Sequence, residues 1–212
     1  MTLFRLDASI RVDGSASREI ADIVEEEWRG NHPGDPVVRR HVGTEPLPAD
    51  SWAHATAGAS VADADRTDAQ RLALELAAVL VDELAAADAV LIAVPLYNFG
   101  VSQHLKTWAD LVIAGSGPGS RLLEGKPTVL ATVRGGNYSA GTPREGWDHS
   151  TPYLRRLLAD VWGADLTVVE REFTLVGVNP ALDAFTDAAA DLHQQARSAA
   201  REAGRALGAA RV

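Results

Sequence analysis

Residues 89–112 read AVLIAVPLYNFGVSQHLKTWADLV. Ala89 to Val94 is an unbroken apolar run. A strand with one wet face alternates, so this run predicts a strand buried on both faces. Pro95 stiffens the strand exit, and a helix is predicted from about Ser102 to Ile113. Between them stand Tyr97, Asn98, Phe99 and Gly100. Two large aromatics flank an amide at a strand-to-helix junction, where a short polar turn would suffice.

The same alternation extends outward in both directions. TLFRLDAS, with Leu3, Phe4 and Leu6, predicts a first strand, followed by the polar loop SIRVDGSAS. In REIADIVEEEW, Ile20, Ile23, Val24 and Trp28 fall at helical spacing, with Ser17 as expected N-cap and Gly30 as stop. PVVRRHV predicts a second, weaker strand. Residues 43–66 are rich in Gly, Ala, Asp and Ser and read as a long excursion. Thr67 and Gln70 form a capping box for a helix to about Ala87. Beyond the quoted stretch, IAGSGPGSRLLEGK is a loop, PTVLATVR a near-continuous apolar strand and GGNYSAGTPREGWDHS a long loop. Thr151-Pro152 then opens a helix to about Trp162, DLTVVEREFTLVG is a strand, and residues 181–209 form an Ala-rich amphipathic helix.

Strand and helix alternate throughout, with no repeat and no linker, which predicts one α/β domain over 1–212. Five strands and five helices fit the flavodoxin-like doubly wound order, a five-stranded parallel sheet with helices on both faces. Ligands of such sheets sit at the carboxyl ends of the strands near the β1/β3 switch point. Three loops meet there: Ala8–Ser17, Pro95–Val101 and Arg134–Ser150.

Composition narrows the function. The net charge of −9 argues against nucleic acid and an anionic membrane surface as partners. With no cysteine, disulfides, thiolate catalysis and Fe–S clusters are excluded. No apolar run approaches the ~20 residues of a membrane span. The start, Met1 followed by TLFRLDAS, lacks the pattern of a secretory leader. A soluble cytoplasmic protein is expected.

The loop chemistry suggests a ligand. Ser9, Ser15 and Ser17 lie next to a helix N-terminus with Gly14 adjacent, a seat for a monophosphate held by neutral donors. Taken alone, the serines fit an ordinary capped turn equally well. Gly135 and Gly136 after a buried strand let backbone approach a flat ligand, or simply make a flexible turn. Tyr97 and Phe99 make walls for an aromatic ring with Asn98 between them, or cover the sheet end. Together the three outline a mononucleotide with a large planar ring, which flavin mononucleotide (FMN) fits.

At this point the chain resembles the FMN-dependent NADH azoreductases, also described as FMN-dependent NADH:quinone oxidoreductases, of the flavodoxin-like superfamily. The resemblance covers most of the chain. It rests on ASIRVDGSAS, VPLYNFGVSQHLKTWADLV, EGKPTVLATVRGGNYSAG and TPYLRRLL. It implies phosphate contacts at Ser9, Ser15, Ala16 and Ser17. It implies flavin-ring contacts at Leu96, Tyr97, Asn98, Phe99, Val133, Arg134, Gly135 and Gly136. It further implies NADH or NADPH as donor, quinones and azo compounds as acceptors, and a homodimer with two active sites near the interface. No catalytic side chain and no metal are implied, because the cofactor carries the chemistry. Two departures stand out. Val133 replaces a frequent hydroxyl residue. The stretch around GSGPGSRL is short and lacks the aromatics that cover the flavin in typical members, leaving Trp147, Trp52 and His54 as candidates to close the pocket.

GSGPGS follows a helix and lacks the last glycine of a dinucleotide fingerprint. GKPT precedes its strand, so Lys126 reads as a solvated turn residue. The six histidines show no ligand spacing, and His104 reads as a surface residue. A phosphoryl-receiver module would need more than Asp7 and Asp13 after the first strand, and a lysine where FTLVGVN stands. A flavodoxin-like electron carrier with protein partners is the alternative, although the long loops look like pocket walls.

Overall fold

The structure, a computed structural model, describes residues 1–209. Five parallel strands stand in the order β2-β1-β3-β4-β5: β1 (Leu3–Asp7), β2 (Val37–His41), β3 (Ala89–Pro95), β4 (Pro127–Val133) and β5 (Asp165–Arg171). The helices are α1 (Ala16–Asn31), α2 (Ser51–Ala59), α3 (Asp68–Ala85), α4 (Gln103–Ser116), α5 (Thr151–Arg155) and α6 (Thr186–Leu207). The central strands are apolar on both faces because both faces are covered. Phe4, Leu6, Val90, Ile92 and Leu130 point into a core with Leu80, Leu84, Trp108 and Trp162. Leu3, Leu91, Val129 and Ala131 point the other way, onto Ile20, Val24, Trp28, Ala196 and Ala200. The three tryptophans are fully buried, and truncating any one to alanine costs about 3–5 kcal/mol.

Two residues of β1, Arg5 and Asp7, break the apolar pattern. Arg5 is buried, facing α1, and donates to both carboxylate oxygens of Asp7 at 3.0 and 3.1 Å and to Glu25 at 2.9 Å. Asp22 lies 2.7 Å away. Glu25 also accepts from Arg29 and Arg39. Burial alone would lift the Glu25 pKa, but hydrogen bonds from Arg29 and Arg5, with the charges of Arg5 and Arg39, hold it below the ordinary glutamate value.

Several expectations change in the structure. Among the described residues there are six α-helices rather than five, because the excursion at 43–66 contains α2 and a 3₁₀ turn, Asp63–Asp65. Gly58 of α2 packs closely on α3: a Cβ there would lie 3.0 Å from Gln70 Cβ and 3.2 Å from Leu74. Small residues bury too little to leave a helical stripe in the sequence. α1 is capped by Ser15, not Ser17. Ser15 is extended and accepts from the N–H of Arg18, while Gly14, at φ +65°, turns the chain two residues earlier than expected. α1 also runs past Gly30 to Asn31. The last strand ends at Arg171 rather than near Gly177, because Phe173 adopts φ +56° and reverses the chain. α6 begins at Thr186, after a 3₁₀ segment Pro180–Phe185. After α5 a π-helical segment, Arg156–Val161, swings Trp162 edge-on to Trp108, with centroids 5.8 Å apart. Lys126 is not simply solvated: its Nζ donates to the carbonyls of Leu84 (2.9 Å) and Ala85 (2.7 Å), closing the end of α3.

Candidate active site

A cleft of about 270 Å³ opens at the carboxyl ends of β1, β3, β4 and β5. From the first loop Ser9, Ser15, Ala16 and Ser17 line it, from the second Leu96 and Tyr97, from the third Val133 and Gly135. All three serines are buried. Ser15 Oγ, while capping α1, lies 3.3 Å from Ser17 Oγ. The first-turn N–H groups of a helix have no intrahelical acceptor, so this end of the cleft combines hydroxyls with a helix's positive pole. Arg18 braces the loop from outside, donating to the carbonyls of Val12 and Arg11, both at 2.6 Å.

Tyr97 answers the question raised by the quoted stretch. Asn98 and Phe99 both take left-handed conformations, φ +48° and +66°, in a turn closed by the N–H of Gly100 on the Tyr97 carbonyl at 3.0 Å. The turn sends Tyr97 into the cleft and leaves Asn98 and Phe99 off its lining, exposed at the rim. Phe99 meets Trp147 edge-on at 5.7 Å, with 43% and 50% of their surfaces exposed. Of the three candidates to close the pocket, Trp147 thus stands against the second loop. Trp52 and His54 lie on α2, with His54 near Asp50.

The third loop divides. Gly135 lines the cleft, and its N–H has no acceptor among the described residues. A Cβ there would lie 2.7 Å from Leu175 Cδ1, so only glycine lets the residue-175 wall sit where it does. Arg134 turns away into a buried knot. It donates to Asp148 (2.6 Å), Glu170 (2.6 Å), Glu172 (2.8 Å) and Thr151 (3.1 Å). Asp148 would be lifted by burial, but the N–H and hydroxyl of Thr151 with Arg134 hold it below the ordinary aspartate range. For Glu172 burial prevails over Arg134, and its pKa is raised. Gly136 faces a second, apolar cavity with Phe173 and Phe185. Arg134 and Gly136 therefore support the third wall and do not line the cleft.

Sequence reading missed the fourth side. Arg11, Arg171, Thr174, Leu175 and Val178 also line the cleft. The neutral-donor description of the seat is therefore incomplete, because two guanidinium groups stand in the lining. The signal was present in FTLVGVN, whose Gly177 and Asn179 mark turns rather than strand.

An all-parallel 2-1-3-4-5 sheet with a cleft at its switch point defines a flavodoxin-like α/β protein, and the model of the flavodoxin-like fold matches residues 1–198. Within that class the chain belongs to the family of FMN-dependent NADH:quinone oxidoreductases. It is 35% identical to the protein of that name from Parafrankia sp. (strain EAN1pec), over 98% of this chain and 99% of that one. It is 39% identical to the one from Kineococcus radiotolerans, over 97% and 99%. Its fold is similar to that of the azoreductase AzrA (TM-score 0.78, 21% identity, 97% of this chain and 100% of that one). It is also similar to an FMN-dependent NADH-azoreductase from Bacillus anthracis solved in complex with FMN (TM-score 0.76, 18% identity, 99% and 100%).

Proposed function

We propose that this protein is an FMN-dependent NADH:quinone oxidoreductase that also reduces azo compounds, taking electrons from NADH or NADPH. The reading rests on one observation: the serine seat, the Tyr97 wall and the Gly135 wall meet in a single cleft at the topological switch point. The residues fit the cofactor. The cleft offers hydroxyls and arginines for a phosphate, and bare backbone and apolar side chains for a ring. Ser9, Ser15, Ala16 and Ser17 hold the phosphate; Leu96, Tyr97, Val133 and Gly135 hold the ring, with Asn98 and Phe99 at its rim. The free N–H of Gly135 is placed to donate to a ring edge. FMN supplies the two-electron chemistry when bound, and no side chain acts as acid or base. The chain's task is to position the ring and admit donor and acceptor in turn through one mouth.

The protein acts as one domain, 1–212, in the cytoplasm and as a homodimer; no helix among the described residues is long and apolar enough to cross a membrane. Exposed Trp52, at 50%, with Phe99 and Trp147 at the cleft mouth, supplies apolar surface for a second copy. Steady-state NADH oxidation with a small quinone tests the function. Parallel double-reciprocal lines are expected. Intersecting lines would mean that donor and acceptor bind together, and absence of turnover in FMN-loaded protein overturns the reading. A monomer with full activity, seen by light scattering, overturns the dimer.

A further inference from the structure

Arg171, the last residue of β5 and in register with Val133, lines the same cleft as the three serines. Its side chain is only 16% exposed, and its Nη1 donates to Glu19 at 2.5 Å. Its Nε is buried with no hydrogen-bond partner among the described residues. Glu19, four residues past the Ser15 cap, is differently placed. Its Oε1 lies 2.7 Å from His193 Nε2 and 3.3 Å from Arg197 Nη1, both on α6. Arg171 thus has one anionic partner and an idle buried donor, while Glu19 has three basic partners. Glu19 also lines the cleft, on a chain whose net charge is −9. A phosphate entering here meets a carboxylate unless that carboxylate is neutralised.

We propose that Arg171 reads the charge of the cofactor and that Glu19 is its exchangeable counter-ion. When a phosphate monoester occupies the serine seat, Arg171 turns from Glu19 to the phosphate, filling its idle N–H. His193 and Arg197 keep Glu19 paired and away from the new anion. Charge-assisted bonds from a guanidinium to phosphate are among the stronger polar contacts. The serines and the helix end recognise the shape of the phosphate, and the arginine supplies selectivity for its charge. The inference rests on FMN as the cofactor.

Riboflavin, the same ring without phosphate, separates this role from a staple between β5, α1 and α6. The full chain, freed of flavin, is titrated with FMN and with riboflavin by fluorescence quenching. Arg171→Gln is expected to weaken FMN about tenfold or more and to leave riboflavin within about twofold. Equal loss of both flavins, or no loss of FMN, overturns the proposal. Glu19→Gln removes the competing carboxylate and keeps a polar partner for Arg171. It is expected to tighten FMN by about threefold, with riboflavin unchanged. Unchanged or weaker FMN binding in that variant overturns the exchange, even if Arg171→Gln fails to fold. A wild type that binds riboflavin as tightly as FMN overturns the role of Arg171 alone. One that binds neither overturns the FMN assignment as well.

Discussion

The phenolic oxygen of Tyr97 lies 3.3 Å from Ser9 Oγ and accepts from the N–H of Ile10 at 3.3 Å. One side chain thereby ties the loop after β3 to the loop after β1, the two on either side of the switch point. The Tyr97 wall and the serine loop are thereby held against each other across the mouth of the cleft.

Tyr97→Phe keeps the wall and loses the tie. A net hydrogen bond is worth about 1 kcal/mol, so FMN affinity should fall about fivefold with the fold intact. Tyr97→Ala removes the wall too, and flavin retention and turnover should both fall further. Fluorescence titration of the two variants checks the order.

Ser17→Asp places a carboxylate in the seat, next to Ser15 Oγ. Repulsion of the phosphate outweighs any gain from an acidic residue in the first helical turn. FMN binding should weaken at least about tenfold while thermal stability stays near that of wild type. An unchanged dissociation constant would place the phosphate elsewhere.

Gly135→Ala drives a methyl into Leu175 Cδ1. The side chain of Leu175 is flexible and moves, so the fold survives, but the fourth wall of the cleft shifts. FMN affinity should drop in Gly135→Ala and recover in the double variant with Leu175→Ala. A double variant as weak as the single one would show that the N–H of Gly135, not the wall, was disturbed.

The carboxylate knot around Arg5 predicts a pH dependence of stability. Glu25 titrates below its unfolded value of 4.5 in the folded state. Its contribution is therefore complete above that value and is lost as the pH falls through the folded pKa. Glu25→Gln should cost about 1–3 kcal/mol at neutral pH. The gap from wild type should close as the solution is acidified below 4.5 and through the lowered folded-state pKa. Urea unfolding at a series of pH values measures both.

Strands buried on both faces declare themselves, as AVLIAV and PTVLATVR did, because they lack the apolar–polar alternation of a half-exposed strand. A cap with a local partner was equally legible: Thr67 with Gln70. Ser17 was misplaced as a cap because three serines offered themselves and only the glycine's backbone decides between them. The expectation of Arg134 at the ligand came from the family resemblance, which says nothing of its side-chain partners. Its actual partners Asp148, Glu170 and Glu172 are 14, 36 and 38 residues away, a separation at which no local pattern speaks. Arg171 went unremarked because a charge near a strand end is usually a solvated one. α2 hid because alanines and a glycine carry no stripe.

Gly43 lies just beyond the edge strand β2, and a side chain there would collide with the backbone carbonyl of Ser9. The serine loop after β1 is thus backed by the residue that follows an edge strand of the sheet. Sequence drift has wider freedom on the outward face of α2, where Trp52 is half exposed. At position 43 it has almost none: any larger residue would push Ser9 toward Tyr97 and narrow the seat. The outermost strand of this sheet therefore carries an inheritance constraint that its exposure would never suggest.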